Sequence, residues 1–311
     1  MSILKFDWNP LTGIQIFGDF KIHFYSLTWV AAFVLGWYIT KYIFKREQIK
    51  PEYLDPLFMY TVLATMIGAR LGHVLFYQSE LISEDFFSIF LPFKFKDGFQ
   101  FTGFQGLASH GAAIGVIIAL VMYVKKYKFK SLLWLLDRVT IPVAIGGACI
   151  RVGNFINSEI IGKPTTSKFG VRFIQDYYYS AEATQLTGAS NAQKAFDAIA
   201  KSDTFKHLLE AVPYRHPSQL YESFCYIIVF VILWALYNKT SKKDQEGFLL
   251  GFFLTILWLI RFFIEFTKEP QGDEYINWFG LNTGQWLSLP FIITGLFLMF
   301  IYKRTTRQHV N

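Results

Sequence analysis

An all-α, polytopic membrane bundle is the fold class predicted by this sequence, and three observations predict it. Apolar residues are 53% of the 311 and charged residues only 17%, with 34 Phe, 17 Tyr and 8 Trp. The apolar residues gather into separate stretches of roughly 18 to 23 residues, enough to cross a hydrocarbon core of about 30 Å. Lys and Arg form short clusters between these stretches. A soluble α/β chain would interrupt such runs with turns.

Taken in order, the stretches predict seven spans, at residues 25–44, 56–77, 107–124, 132–150, 219–237, 248–266 and 285–302. The connections orient them. Lys45, Arg46 and Lys50 follow the first span, and Lys125, Lys126, Lys128 and Lys130 the third; Lys239, Lys242 and Lys243 follow the fifth, and Lys303, Arg304 and Arg307 the last. All four clusters fall on one side of an alternating bundle, which the positive-inside rule makes cytoplasmic. The N-terminus, the Phe-rich second connection, the long fourth connection and the acidic sixth one with Glu269, Asp273 and Glu274 then face outward. The expectation is therefore an N-outside, C-inside topology with an odd number of spans. Residues 1–24 lack a basic leader and no small-residue cleavage pattern follows the first stretch, so that span is expected to be retained.

Residues 1–311 are read as one integral membrane domain, with 152–218 a small periplasmic head or loop insertion between spans four and five. Within the insertion, 163–179 reads as extended or looped, and 181–209, rich in Ala and Lys, as helical. Phe86, Phe87, Ile89, Phe90, Leu91, Phe93 and Phe95 leave two readings of the second connection: a segment lying in the membrane interface, or a packed loop.

The net charge of +7 does not indicate nucleic acid, because the cations sit beside spans and not along one amphipathic face. Cys149 and Cys225 each lie inside an apolar stretch and are read as packing residues. A metal site is not expected, since there is no His-Glu-x-x-His and no cluster with ligand spacing. The chain shows no internal repeat, which speaks against an inverted-repeat transporter.

The informative residues are those a membrane disfavours. Tyr25 starts the first span and His110 the third; Arg151 ends the fourth, followed by Asn154, Glu159 and Gly162. Glu222 lies just inside the fifth span, and Arg261 and Glu265 share a face of the sixth. Five spans thus place polar groups toward the outer face, the layout of a site open to the outer leaflet, whereas a transporter would centre them at the midplane. Each residue also has a plainer reading: Arg261 with Glu265 as a structural pair, Arg151 snorkelling from a helix end, His110 as a packing residue. Arg70 sits mid-span and either reads substrate or holds the bundle together, while Gly68, Gly72, Gly111 and Gly115 are read as packing notches. Two arginines beside a histidine and a carboxylate suit an anionic phospholipid head group, which guanidinium grips through paired hydrogen bonds.

Six segments carry a resemblance over nearly the whole chain: Ile22-His-Phe-Tyr25, Gly68-Ala-Arg-Leu-Gly72, Ser109-His-Gly111, Arg151-Val-Gly-Asn-Phe-Ile-Asn157 with Glu159 and Gly162, Arg215-His-Pro-Ser-Gln-Leu-Tyr-Glu222, and Arg261-Phe-Phe-Ile-Glu265. The sequence resembles the bacterial prolipoprotein diacylglyceryl transferases. That resemblance implies a seven-span inner-membrane bundle that moves the diacylglyceryl group of phosphatidylglycerol to the lipobox cysteine of a preprolipoprotein. The product is a thioether, glycerol phosphate is released, and no cofactor is expected. The family's functional positions match Tyr25, His110, Arg151, Asn154, Glu159, Gly162, Arg261 and Glu265; His110, Arg151, Arg261, Glu265 and Tyr25 are the expected catalytic set, and Asn154, Glu159 and Gly162, together with Arg70 and Glu222, are expected to bind substrate. Two positions depart from the family pattern: Leu257 stands where many members have Tyr, and Lys268 where they have Arg. Lys offers a point charge without a planar fork, and Lys268 lies beyond the apolar span, so its replacement is expected to be mild.

Overall fold

The computed structural model describes residues 5–17, 20–91, 93–94, 100–101, 106, 108–128, 130–269, 278–302 and 304–305. Phe95, Leu107, Asp273, Glu274, Lys303 and Arg307, all used in the sequence reading, lie outside them.

Seven helices are long and apolar enough to cross a bilayer. They are built around α1 (Phe24–Arg46), α2 (Leu54–Tyr77), α3 (Ser109–Tyr127) and α4 (Leu132–Ile156) before the insertion, and α8 (Ser218–Lys239), α9 (Phe248–Ile264) and α10 (Thr283–Leu296) after it. The insertion carries α5 (Ser180–Thr187), α6 (Ala192–Lys201) and α7 (Lys206–Ala211). Helix ends differ from the hydropathy reading where polar residues continue the helix. Helix α1 runs on through Lys45 and Arg46, cations that favour a helix C-terminus. Helix α4 continues past its apolar stretch through Arg151 and Asn154 to Ile156, because those side chains find partners inside the protein. The end of α10 passes into a π turn over Phe297–Ile301.

Internal contacts divide the chain into one unit of residues 37–138 and another of residues 1–36 with 139–311, so that α1 and α4 each belong partly to both. In the first unit α2 and α3 meet through glycines. A Cβ on Gly72 would lie 2.7 Å from the Gly111 Cα, and one on Gly115 would lie 2.7 Å from the Ala64 carbonyl oxygen. Close backbone approach of this kind is how helices associate where lipid offers no hydrophobic drive. The far side of α3 presents Ile114, Ile117, Ile118 and Met122 outward, the spacing of one helical face. In lipid such a face needs no protein partner. Arg70, only 9% exposed, donates from Nε to the Ile89 carbonyl and from Nη2 to the Ser88 carbonyl, both at 3.1 Å. It thereby ties α2 to a helical turn at Phe87–Phe90, where Ile89 is buried while Phe86, Phe87 and Phe90 point outward. The second connection is thus anchored on one side and apolar on the other. At the opposite end of α2's unit, Arg138 grips Glu47 bidentately at 3.0 and 3.1 Å and lies over the Trp134 ring.

In the second unit the insertion packs its helices on a core of Ile174, Tyr178, Ala183, Ala195, Phe196, Ile199 and Val212. Asn191 caps α6 by accepting from the Lys194 amide, and Gly188 ends α5 in the left-handed region. A three-stranded sheet joins the insertion to the start of the chain: β1 (Phe6–Trp8) runs parallel to β4 (Val171–Phe173), which runs antiparallel to β5 (Tyr214–Arg215). A hairpin of β2 (Gly13–Phe17) and β3 (Phe20–His23) then leads into α1. Trp8 donates its indole N–H to the Phe155 carbonyl at 2.9 Å and stacks on that ring, which fastens β1 to the end of α4.

Because Gly111 faces backbone on α2, Gly111→Leu should behave as an overpacked variant. The expected loss is about 1–3 kcal/mol or more. A thermal melt in detergent indistinguishable from the parent would show that the two helices do not need this approach.

Candidate active site

Helix α4 ends in the segment that carries most of the site. Arg151 lies one turn before its end, and its Nε sits 2.7 Å from Glu222 Oε2 on α8. Glu222 is fully buried, and its other oxygen accepts from Lys268 Nζ at 2.8 Å. One carboxylate thus joins the end of α4, the start of α8 and the chain just after α9. An isolated charge in such surroundings would cost several kcal/mol, so the two cations are a condition of Glu222 being there at all.

Lys268 corrects the expectation drawn from its sequence position. After α9 a 3-10 turn over Glu265–Thr267 reverses the chain and returns Lys268 into the protein, where it is 4% exposed. Distance from an apolar stretch along the sequence did not report this return. Glu222, expected to contact substrate, likewise has its carboxylate directed at protein cations.

Arg151 continues into a polar chain. Its Nη1 donates to Asn154 Oδ1 at 3.4 Å, and Asn154 Nδ2 donates to Glu159 Oε2 at 3.2 Å. Asn157 donates to the other Glu159 oxygen at 3.1 Å. The turn holding Glu159 has Ser158 and Ile160 at φ of 55° and 58°, a left-handed conformation that is costly for a β-branched residue. The next motif holds it in place: Gln219 donates to the Glu159 carbonyl and Ser218 Oγ to the Ile160 carbonyl, the latter at 2.8 Å. Gly162 is clasped between two strands of backbone, donating to the His216 carbonyl at 2.9 Å and bridging to Lys268. A Cβ there would meet the carbonyl oxygens of His216 and Thr267 at 2.5 and 2.6 Å, so only glycine fits. Arg215 closes the clasp with bonds to the Gly162 carbonyl and to Glu269, the latter at 2.6 Å.

Tyr25 packs its ring on α4 beside Gly153, where a Cβ would lie 2.8 Å from the Tyr25 Cδ2 atom. Arg261 lies over the Trp258 ring at 5.2 Å, and Trp258 stacks on Phe291 at 4.2 Å. Arg261 and Glu265 do not form an ion pair among the described residues, contrary to the pairing read from their spacing. Helix α9 stops at Ile264, and the carboxylate of Glu265 instead lies against the start of α10, within 3.5 Å of Asn282 Nδ2 and against Gly284. Arg261 Nε and Glu265 Oε2 are buried without a hydrogen-bond partner, as is the Glu222 Oε2 that faces Arg151 in the ion pair.

Tyr226 was not picked out by sequence. It follows Glu222 by one turn of α8, is 6% exposed, and packs its ring against Gly147 of α4, where a Cβ would lie 3.2 Å from its Cδ2 atom. His110 and Arg70 belong to the unit of residues 37–138; His110 stands on the first turn of α3, exposed, and Arg70 holds the carbonyls described above.

The model of the family described as prolipoprotein diacylglyceryl transferase matches residues 12–301. The chain belongs to the prolipoprotein diacylglyceryl transferase family. A phosphatidylglycerol–prolipoprotein diacylglyceryl transferase of Bacteroides fragilis is 35% identical over 304 residues, 97% of each chain. Proteins of the same description from Tolumonas auensis and Porphyromonas gingivalis are 35% and 33% identical, over 94% and 96% of this chain and 96% and 94% of theirs. The seven apolar helices and this membership make the chain a multi-pass membrane protein.

Loss of Lys268 leaves the buried Glu222 with Arg151 alone. Lys268→Met should therefore destabilise the protein by about 1–3 kcal/mol, and adding Glu222→Gln should recover part of that loss. Thermal unfolding in detergent measures both; a Lys268→Met protein that melts like the parent would place the lysine outside the cluster.

Proposed function

We propose that this chain transfers the diacylglyceryl group of phosphatidylglycerol to the lipobox cysteine thiol of a preprolipoprotein, giving a thioether and glycerol phosphate. The observation that carries the reading is Arg151, fixed by a fully buried Glu222 within the stretch that the family model matches. Arg151 and Arg261 bind the phosphate of the lipid, with the partnerless Nε–H of Arg261 among the donors. Asn154 and Tyr25 add hydrogen bonds. Glu159 and Gly162 keep Asn154 and the strap after it in place, and Glu265 lies against the start of α10 with one oxygen unsatisfied. Glu222 and Arg70 serve the substrate indirectly, through the cations and carbonyls they hold.

In the reaction the cysteine sulfur attacks the glyceryl carbon next to the phosphate. The S–C bond forms as the C–O bond breaks, and the electron pair leaves on the glycerol phosphate, whose charge the arginines stabilise. The thiol proton must go to a base. His110 is assigned that role because imidazole is the side chain suited to take up a proton near neutral pH and because it stands at the start of α3. Lipid from the outer leaflet and the anchored preprolipoprotein are the partners, in a bacterial inner membrane with the N-terminus periplasmic and the C-terminus cytoplasmic. The insertion at 152–218 then forms a periplasmic head.

Incubation of purified protein with phosphatidylglycerol and a lipobox peptide should add a diacylglyceryl mass to the peptide cysteine. Arg151→Ala and Arg261→Ala should each lose about 10²-fold or more in turnover. His110→Gln should lose about 10²-fold at neutral pH and recover part of it by about pH 9, where more thiol is already ionised. A deficit that stays constant with pH would remove His110 as the base, and normal turnover by either arginine variant would remove that arginine. For orientation, a tag placed after Gln193 should react with an impermeant reagent in intact spheroplasts, and a tag after Lys242 should not; the reverse pattern would invert the topology.

A further inference from the structure

The two arginines of the site are held by different chemistry. Arg151 meets a carboxylate at 2.7 Å, whereas Arg261 forms no ion pair among the described residues and its Nε has no hydrogen-bond partner. Leu257, one turn earlier on α9, is an aliphatic side chain with no acceptor to offer. What the protein presents to this cation is the ring of Trp258, whose centroid lies 5.2 Å from the Arg261 Cζ atom. A separation of three residues puts the two side chains on one face of the helix. The ring is fixed from a second helix as well. Phe291 of α10 stacks on Trp258 with centroids 4.2 Å apart and planes only 5° apart. Two helices therefore set where the indole stands, and the indole in turn sets what lies beside Arg261. An aromatic face attracts a cation through its quadrupole, and Trp does so most strongly. A carboxylate in that place would hold the arginine by bringing a negative charge next to it. The ring holds it without adding one.

We infer that Trp258 is a positioning residue for diacylglyceryl transfer: its ring, stacked on Phe291 of α10, holds the Arg261 guanidinium by a cation–π contact and leaves its charge to the phosphate of the lipid. This rests on the transferase reading above. Phe291 acts through Trp258, and only the aromatic face is required of either.

The experiment compares wild type, Trp258→Phe, Trp258→Leu, Phe291→Leu and the double variant Trp258→Leu/Phe291→Leu, with phosphatidylglycerol in mixed micelles and a lipobox peptide. All are assayed well below their melting temperatures. Trp258→Leu should lower kcat about threefold to thirtyfold, the span of cation–π strengths, with KM for the lipid changed less than about twofold. Trp258→Phe keeps a π face and should recover a large part of that loss. Phe291→Leu, at an exposed position, should lower kcat less than Trp258→Leu does. In the double variant the loss should be no greater than in Trp258→Leu alone, because Phe291 acts through the same ring. A kcat for Trp258→Leu equal to wild type would overturn the inference. So would equal losses in Trp258→Phe and Trp258→Leu, which would reduce the ring to bulk, or losses that multiply in the double variant. Absence of any lipidated peptide with the wild-type protein would instead overturn the transferase reading itself, and this inference with it.

Discussion

The Glu222 carboxylate is the constraint on which the rest of the site depends. It has no exposure to solvent and lies between Arg151 at 2.7 Å and Lys268 at 2.8 Å. A buried carboxylate without such partners would be protonated or expelled. The end of α4, the first turns of α8 and the reversal after α9 are therefore positioned together or not at all. Uncoupling any one leaves a charge stranded in a low-dielectric region, which is a stronger tie than the side-chain packing around it. Arg261 stands outside that ion-paired group, and its Nε has no hydrogen-bond partner.

Much of this was legible in the sequence, and what was not has identifiable causes. Seven spans followed from apolar length, and the residues that a membrane disfavours pointed to Arg151, Glu222 and Arg261. Hydropathy misjudged the ends of α1 and α4, because it scores each residue for lipid and cannot see that Arg151 and Asn154 have protein partners. Spacing predicted the Arg261–Glu265 pair on the assumption that the helix continues; α9 stops at Ile264, and the next turn swings Glu265 toward α10. Lys268 failed for the same reason in the opposite sense.

The structure also explains why two motifs distant in sequence are needed together. The turn after α4 puts Ser158 and Ile160 in a conformation that their own side chains oppose. The carbonyls of Glu159 and Ile160 are bonded by Gln219 and Ser218, so the second motif stabilises a shape that the first could not hold alone. Gly162 extends the same logic to a third segment, taking a place between the carbonyls of His216 and Thr267 that a larger residue would exceed. Strain in one segment is thus answered by hydrogen bonds from another, the usual way a fixed non-ideal backbone survives at a working site.

The parallel pairing of β1 with β4 carries a consequence for how the protein is made. Phe6 registers with Val171, and four spans, α1 to α4, lie between them. Two strands can pair only on the same side of a membrane, and an even number of crossings is what returns the chain to the side it left. The pairing is therefore a parity check on insertion. A nascent chain that skips one helix, or threads it only halfway, delivers Val171 to the wrong compartment and leaves Phe6 to Trp8 without a partner strand. During synthesis the first strand must wait on its side of the bilayer until some 165 further residues have been translated, a long-range closure of the slow kind. Completion of that pairing therefore requires the first four spans to have crossed, and it fastens the start of the chain to the end of α4 through the Trp8–Phe155 bond.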